Sequence, residues 1–159
     1  MNKEINKQIN ETIQLLNTIE EETAIEYATW TNEKAKIKFN ESFPAFPITC
    51  NYIYWCNLGI NIGSEQNKIR PVLVIKTKRN SPICTILPLT SERMSDTRWY
   101  HVDLENYSST VLIEQLRNIS KLRILNPHRS KGKLSKINLN DWNNINSALT
   151  RYYTMTQWK

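Results

Sequence analysis

The chain has 159 residues, a formal net charge of +6 and a sequence pI near 9.3. That length suits one domain, or one domain with an appendage, and is enough to bury a core unaided. The positive balance suits a polyanionic partner, although a composition rich in Lys and Asn accounts for it as well. Cys50, Cys56 and Cys84 are odd in number and form no CxxC, which implies neither a disulfide framework nor a zinc site; buried, reduced thiols are the simpler account. No apolar run reaches about 18 residues and no signal-peptide pattern stands at the N-terminus, so a soluble, cytosolic protein without membrane contact is expected.

In chain order, Ile5, Ile9, Ile13, Leu16, Ile19, Ala24, Tyr27, Trp30 and Ile37 recur mostly at steps of three and four. The spacing predicts an amphipathic helix over 3–38. At about 1.5 Å per residue it would span roughly 50 Å, more than a small domain, so a break is expected; Thr23-Ala24-Ile25-Glu26 reads as a capping box for a second helix. Its stripe has three surfaces to choose from: the same helix in a second subunit, the rest of its own chain, or a separate partner. Residues 40–47, with Pro44 and Pro47, form a linker that a helix cannot cross, so the organisation is a helical extension over 1–42 and a second domain over 43–159.

Strands are predicted over 51–57, 70–76, 83–89, 99–104 and 109–115, with Lys133-Leu134-Ser135 a short further one. Asn138 then caps a closing helix with Asp141 at its third position, and Leu139, Trp142, Ile145, Leu149 and Tyr152 form the stripe. Short antiparallel strands followed by a helix describe an α+β protein built on a small, strongly bent SH3-like barrel.

One loop stands apart. The chain holds three glycines, and Gly59 and Gly63 both lie between the first two predicted strands. Glycine is needed where the backbone takes positive φ or approaches something closely. Arg70 precedes Pro71, which forces it extended, and Pro71, lacking an N–H, belongs at a strand start or edge. The unbroken run Val72 to Ile75 marks a strand buried on both faces. A polar loop therefore ends in one cation held at the mouth of a rigid strand.

The stretch IYWCNLGINIGSEQNKIRPVLVI, followed by PLTS, STVLIEQLRNIS, GKLS and a final amphipathic helix, resembles the PemK/MazF family of toxin endoribonucleases over about residues 50–153. The resemblance implies the same barrel fold, a homodimer, a cognate antitoxin protein as partner, and single-stranded mRNA as substrate. It implies cleavage without metal or other cofactor, by attack of the ribose 2′-OH on the adjacent phosphorus. It also places Arg70 on the family's catalytic arginine and Thr90 on the threonine paired with it. Where the family often opens its first strand with Gly-Asp, this chain has Asn51-Tyr52. The resemblance does not reach the N-terminal extension.

Such a reaction needs alignment, positive charge at the phosphate, and proton transfer at both oxygens. Arg70 is always charged and forked, and the Thr90 hydroxyl can bond a phosphoryl oxygen. Arginine is a poor base, so Glu65, Glu92 and the accessory candidate His101 stay open for that role. His128 reads as a surface residue among Arg and Lys. Ser64, Glu65 and Gln66 on the loop, Ser91 after Thr90, and Glu114, Gln115 and Arg117 further on offer donors and acceptors to splayed bases. Trp55, Trp99 and Tyr100 either stack on bases or pack in the core. Two other readings fit the same pattern: a non-catalytic nucleic-acid-binding or regulatory barrel, and a gyrase-inhibitor-type toxin of the same fold.

Overall fold

The computed structural model describes residues 2–40 and 42–155, which fall into two units dividing between residues 41 and 42. The first contains α1 (Lys3–Leu16) and α2 (Glu21–Phe39), with no buried residue in either. The break in the predicted helix comes at 17–20, earlier than the Thr23 capping box would place it. Thr18 and Ile19 turn their N–H groups back to the Leu15 and Leu16 carbonyls, and the Thr18 hydroxyl also donates to Leu15, which ends the helix there. Thr23 then lies inside α2. Ile5, Ile9 and Ile13 stand exposed along α1.

The second unit is an antiparallel sheet with a closing helix. Its strands are β1 (Ile53–Asn57), β2 (Ile69–Thr77), β3 (Ile83–Thr90), β4 (His101–Asp103), β5 (Thr110–Leu112), β6 (Arg117–Ser120) and β7 (Ile124–Pro127); β8 (Arg129–Ser130) and β9 (Lys133–Leu134) form a separate hairpin. The order is β4-β5-β3-β2-β1-β7, and the first half of β3 pairs instead with β6. Register shifts between Val74 and Lys76 on β2, and between Trp55 and Cys56 on β1, bend the sheet. The small bent barrel expected from the sequence is the fold found.

Alternation sets the core. Ile53, Leu73, Leu87, Leu89, Val111 and Ile113 collect on one face with Ile145 and Ala148 of α3 (Leu139–Tyr153). Tyr54, Cys56, Val72, Val74, Cys84 and Ile86 collect on the other. Burial pushes the Cys56 thiol up to about 12 and Cys84 to about 11, so both stay protonated and unreactive. Phe46 and Ile48 pack on this second face, the Thr49 N–H donates to the Tyr54 hydroxyl (2.9 Å), and that hydroxyl donates to the Pro47 carbonyl (3.1 Å). The end of the predicted linker is thus part of the core.

Several boundaries differ from expectation. The strand predicted over 109–115 stops at Leu112, and 113–115 form a 3₁₀ turn closed by the Leu116 N–H on the Ile113 carbonyl. Trp99 and Tyr100 precede β4 rather than opening it. On α3, Ile145 and Ala148 are buried and Leu149 partly so, whereas Leu139 and Trp142 face outward. The predicted cap is present in full: Asn138 accepts from the Asp141 N–H (2.7 Å) and Asp141 accepts from the Asn138 N–H (3.4 Å). Asp141, wholly buried, also accepts from the Glu105 N–H (3.1 Å), which ties α3 to the segment after β4. Asp141→Ala leaves two backbone donors without their acceptor and is expected to lower unfolding free energy by about 1–3 kcal/mol, read by urea denaturation.

Candidate active site at the mouth of β2 and β3

Arg70 lies in β2 opposite Cys56 of β1, half-buried, with its Nε donating to the Asn67 carbonyl (3.1 Å). Thr90 is the last residue of β3, opposite Thr110 of β5. The β2–β3 register pairs Val72 with Pro88 and Leu73 with Leu87. Carried two residues further, it aligns Arg70 with Thr90. Both share the parity of Val72 and Ile86, so Pro71 and the register together set a guanidinium and a hydroxyl at the same end of the sheet. The Thr90 oxygen accepts from the Glu92 N–H (3.1 Å), which leaves its own hydrogen available to donate. Only 4 % of the Thr90 surface is exposed.

The glycine loop between β1 and β2 is held from across the molecule. Gly59 and Gly63 take φ of 83° and 60°, as their positions in the loop foretell. Gln115 on the 3₁₀ turn accepts from the Gln66 N–H (3.1 Å) and donates to the Ser64 carbonyl (3.3 Å). Arg117 Nη2 donates to the Gln66 carbonyl (2.8 Å), which also takes Asn61 Nδ2 (2.7 Å). Arg123 Nη1 donates to the carbonyls of Asn57 (3.2 Å) and Leu58 (3.1 Å). Three arginines, at 70, 117 and 123, therefore hold one loop by its carbonyls and gather their charge at its base. Burial pulls Arg117 below the usual guanidinium value, the Glu65 carboxylate works against that, and the like charge of Arg123 adds to the burial effect.

Of the predicted site residues, the fold brings Ser64, Gln66, Gln115 and Arg117 into one bonded group. Ser64 and Glu65 are exposed, with Glu65 Oε2 accepting from the Ile62 N–H (3.4 Å), while Gln66 is half-buried. Ser91 is exposed at the start of the β3–β4 loop. Glu114 turns away from this group toward His101, whose Nε2 lies 3.0 Å from Glu114 Oε1 and whose Nδ1 lies 2.7 Å from Asp96 Oδ2. His128 is not a plain surface residue: its Nδ1 meets the Ser135 hydroxyl (2.7 Å), its ring lies against Trp55 and Tyr107, and burial lowers its pKa. Trp55 and Tyr100 are part-buried, and Trp99 is exposed with the Arg151 guanidinium over its ring at 4.0 Å. Asn51, standing where the family often has glycine, takes a φ of 69° and keeps the entry turn. Sequence reasoning missed Asn61, Asp96 and Arg123. Asn61 and Asp96 bond within five residues of themselves in irregular loops, whereas Arg123 reaches carbonyls 66 and 65 residues earlier, and Lys121-Leu122-Arg123 carries no pattern that would single it out.

A bent antiparallel barrel with a closing helix and an arginine-held loop at the sheet's mouth defines the class of protein. Residues 50–153 match the PemK-like, MazF-like toxins of type II toxin–antitoxin systems, and the chain belongs to that family. It is 32% identical to Endoribonuclease EndoA of Bacillus subtilis (strain 168), over 45% of this chain and 70% of that protein. Its fold is similar to MazF (Form-I) from Deinococcus radiodurans, with a TM-score of 0.57 and 19% identity over 69% of this chain and 99% of that one. MazE-MazF (Form-II) from the same organism aligns with a TM-score of 0.53 at 18% identity, covering 70% and 99%. No described helix is long and apolar enough to cross a membrane. Among the described residues no group of three or more His, Cys, Asp or Glu side chains is placed to hold a metal ion.

Proposed function

We propose that this chain is a sequence-selective endoribonuclease toxin that cleaves single-stranded mRNA in the cytoplasm, acts as a homodimer and is neutralised by a cognate antitoxin. The observation that supports the reading is the β2–β3 register, Val72 with Pro88 and Leu73 with Leu87, which carried two residues further brings Arg70 level with Thr90. In the reaction the ribose 2′-oxygen attacks the adjacent phosphorus as the 5′-oxygen leaves, one proton departing from the first and one arriving at the second. Arg70 meets the charge that grows on the phosphoryl oxygens, and the Thr90 hydroxyl donates to one of them. Ser64, Glu65, Gln66, Ser91, Gln115 and Arg117 border the path of the strand and take part in reading its bases. The protons are handled without a metal in this reading.

The test is incubation of purified protein with a long single-stranded RNA in EDTA, followed by mapping of the ends. Products with 2′,3′-cyclic phosphate and 5′-OH ends support the reading. RNA left intact under all conditions overturns it in favour of a binding or regulatory barrel, or of a toxin with a protein target. The charge gathered at the loop's base carries its own expectation: RNA affinity falls steeply with salt, with a log–log slope of about −0.7 per phosphate contacted. A flat dependence would mean that the arginines do not meet the backbone.

A further inference from the structure

His101 is the one histidine that sits between two carboxylates. Its side chain is 3% exposed, with Asp96 Oδ2 at 2.7 Å from Nδ1 and Glu114 Oε1 at 3.0 Å from Nε2. Asp96 and Glu114 belong to different segments. Asp96 lies in the β3–β4 loop, which begins one residue after Thr90; there it also accepts from the Arg98 N–H (2.8 Å), while the Ser95 N–H donates to Asp103 (2.8 Å). Glu114 lies in the 3₁₀ turn beside Gln115, whose side chain holds the glycine loop at Gln66 and Ser64. The histidine thus joins the two segments that flank the Arg70–Thr90 mouth.

Hydrogen count then constrains the ring. A carboxylate can only accept, and a neutral imidazole has one N–H, so a neutral His101 would set a lone pair against one carboxylate at hydrogen-bond distance. With both carboxyls ionised, both contacts are favourable only when both nitrogens carry hydrogen. The other charged or titratable groups here are Arg98, 3.6 Å from Asp96, and Tyr153 of α3, whose hydroxyl donates to the Ile113 carbonyl (3.0 Å) and which faces Glu114. On its own strand side, the Tyr100 ring packs edge-on against the imidazole. The Asp96 carboxyl is held below the usual carboxylate range, chiefly by the Arg98 N–H, with the His101 contact adding to it. Glu114 Oε2 is buried without a hydrogen-bond partner, so this carboxylate's stabilisation rests on the histidine contact at its other oxygen.

We infer that His101 is a positioning residue for RNA cleavage: as an imidazolium it clamps the loop that follows Thr90 to the turn that holds the Gly59–Lys68 loop, and losing its second proton loosens both. The inference rests on the nuclease reading above, and it makes no direct contact between His101 and substrate. A misplacement of about 1 Å at a distance from the chemistry can cost as much as about 10²-fold in rate, which sets the scale of the effect.

The test uses the full chain with ¹⁵N-labelled histidine. The His101 ring is expected to show both nitrogens protonated at the pH of maximal cleavage, and kcat to fall as that signal converts to a single tautomer. Asp96→Asn tests the geometry, because its Oδ1 can still accept from the Arg98 N–H while its Nδ2 donates to a bare Nδ1. In that variant the clamp no longer needs the second proton, so the alkaline fall in kcat should vanish. His101→Gln bridges only one side and should lower kcat, by as much as about 10²-fold, with KM little changed. A His101 ring seen as one neutral tautomer at the optimum, or an Asp96→Asn profile that superimposes on wild type, overturns the inference. A wild-type chain that cleaves no RNA overturns the nuclease reading and the catalytic part of this one, while the ring's protonation still decides whether the clamp exists.

Discussion

Arg70→Ala is expected to reduce RNA cleavage by about 10²–10³-fold while leaving the melting temperature unchanged. The side chain is half-buried at a strand mouth and spends one hydrogen bond, to the Asn67 carbonyl, while its backbone stays paired with Cys56 whatever the side chain. Little stability is at stake, but the variant removes the guanidinium that the β2–β3 register brings level with Thr90. Arg117 and Arg123 remain, engaged with the carbonyls of residues 66, 57 and 58, so binding of RNA should outlast its cleavage. Thr90→Val keeps the volume, removes the hydroxyl and deprives the Glu92 N–H of its acceptor. It should fall in the same direction. Single-turnover cleavage beside a thermal melt decides both, and a wild-type rate in either variant would remove that residue from the site.

Leu87→Ala should destabilise the protein by about 2–5 kcal/mol, shifting the urea midpoint without changing the slope of the transition. Leu87 is fully buried, faces Leu73 across the β2–β3 ladder, and packs in the cluster shared with Ile145 and Ala148 of α3. Removing its side chain opens a cavity where three elements meet, and the strand affected is the one that ends in Thr90. Because the loss falls on the barrel as a whole, folded Leu87→Ala should keep its activity per folded molecule at low temperature. A loss of activity larger than the loss of folded protein would mean that β3 transmits strain to the site, against the rigid-scaffold picture of this mouth.

The strands that carry Arg70 and Thr90 were legible because their signals are local. Four consecutive β-branched or aliphatic residues after Arg70-Pro71 leave few conformations open, and alternation assigns each side chain to a face. The Asn138–Asp141 cap was legible for the same reason, its two partners being three residues apart. Short strands were not. β6 and β7 have four residues each, with one or two apolar side chains to set a period, and both form because β3 and β1 offer them an edge. The strand predicted through Gln115 ended early because the Leu116 N–H finds the Ile113 carbonyl, a bond that no alternation pattern foretells. The N-terminal break was anticipated, but its place was decided by the back-bonding of Thr18 rather than by the Thr23 box.

By itself the sequence determined the family, the bent antiparallel fold and the positions of Arg70 and Thr90, since each is written in residues adjacent in the chain or in an ordered set of motifs. Tertiary structure alone decided that Gln115 and Arg117 hold a loop about fifty residues earlier, that Arg123 joins them, and that Glu114 belongs with His101 and Asp96 rather than with the loop. Those bonds have no local signature, because a glutamine or an arginine chooses its partner only after the β-ladders have set which carbonyl comes within about 3 Å of it.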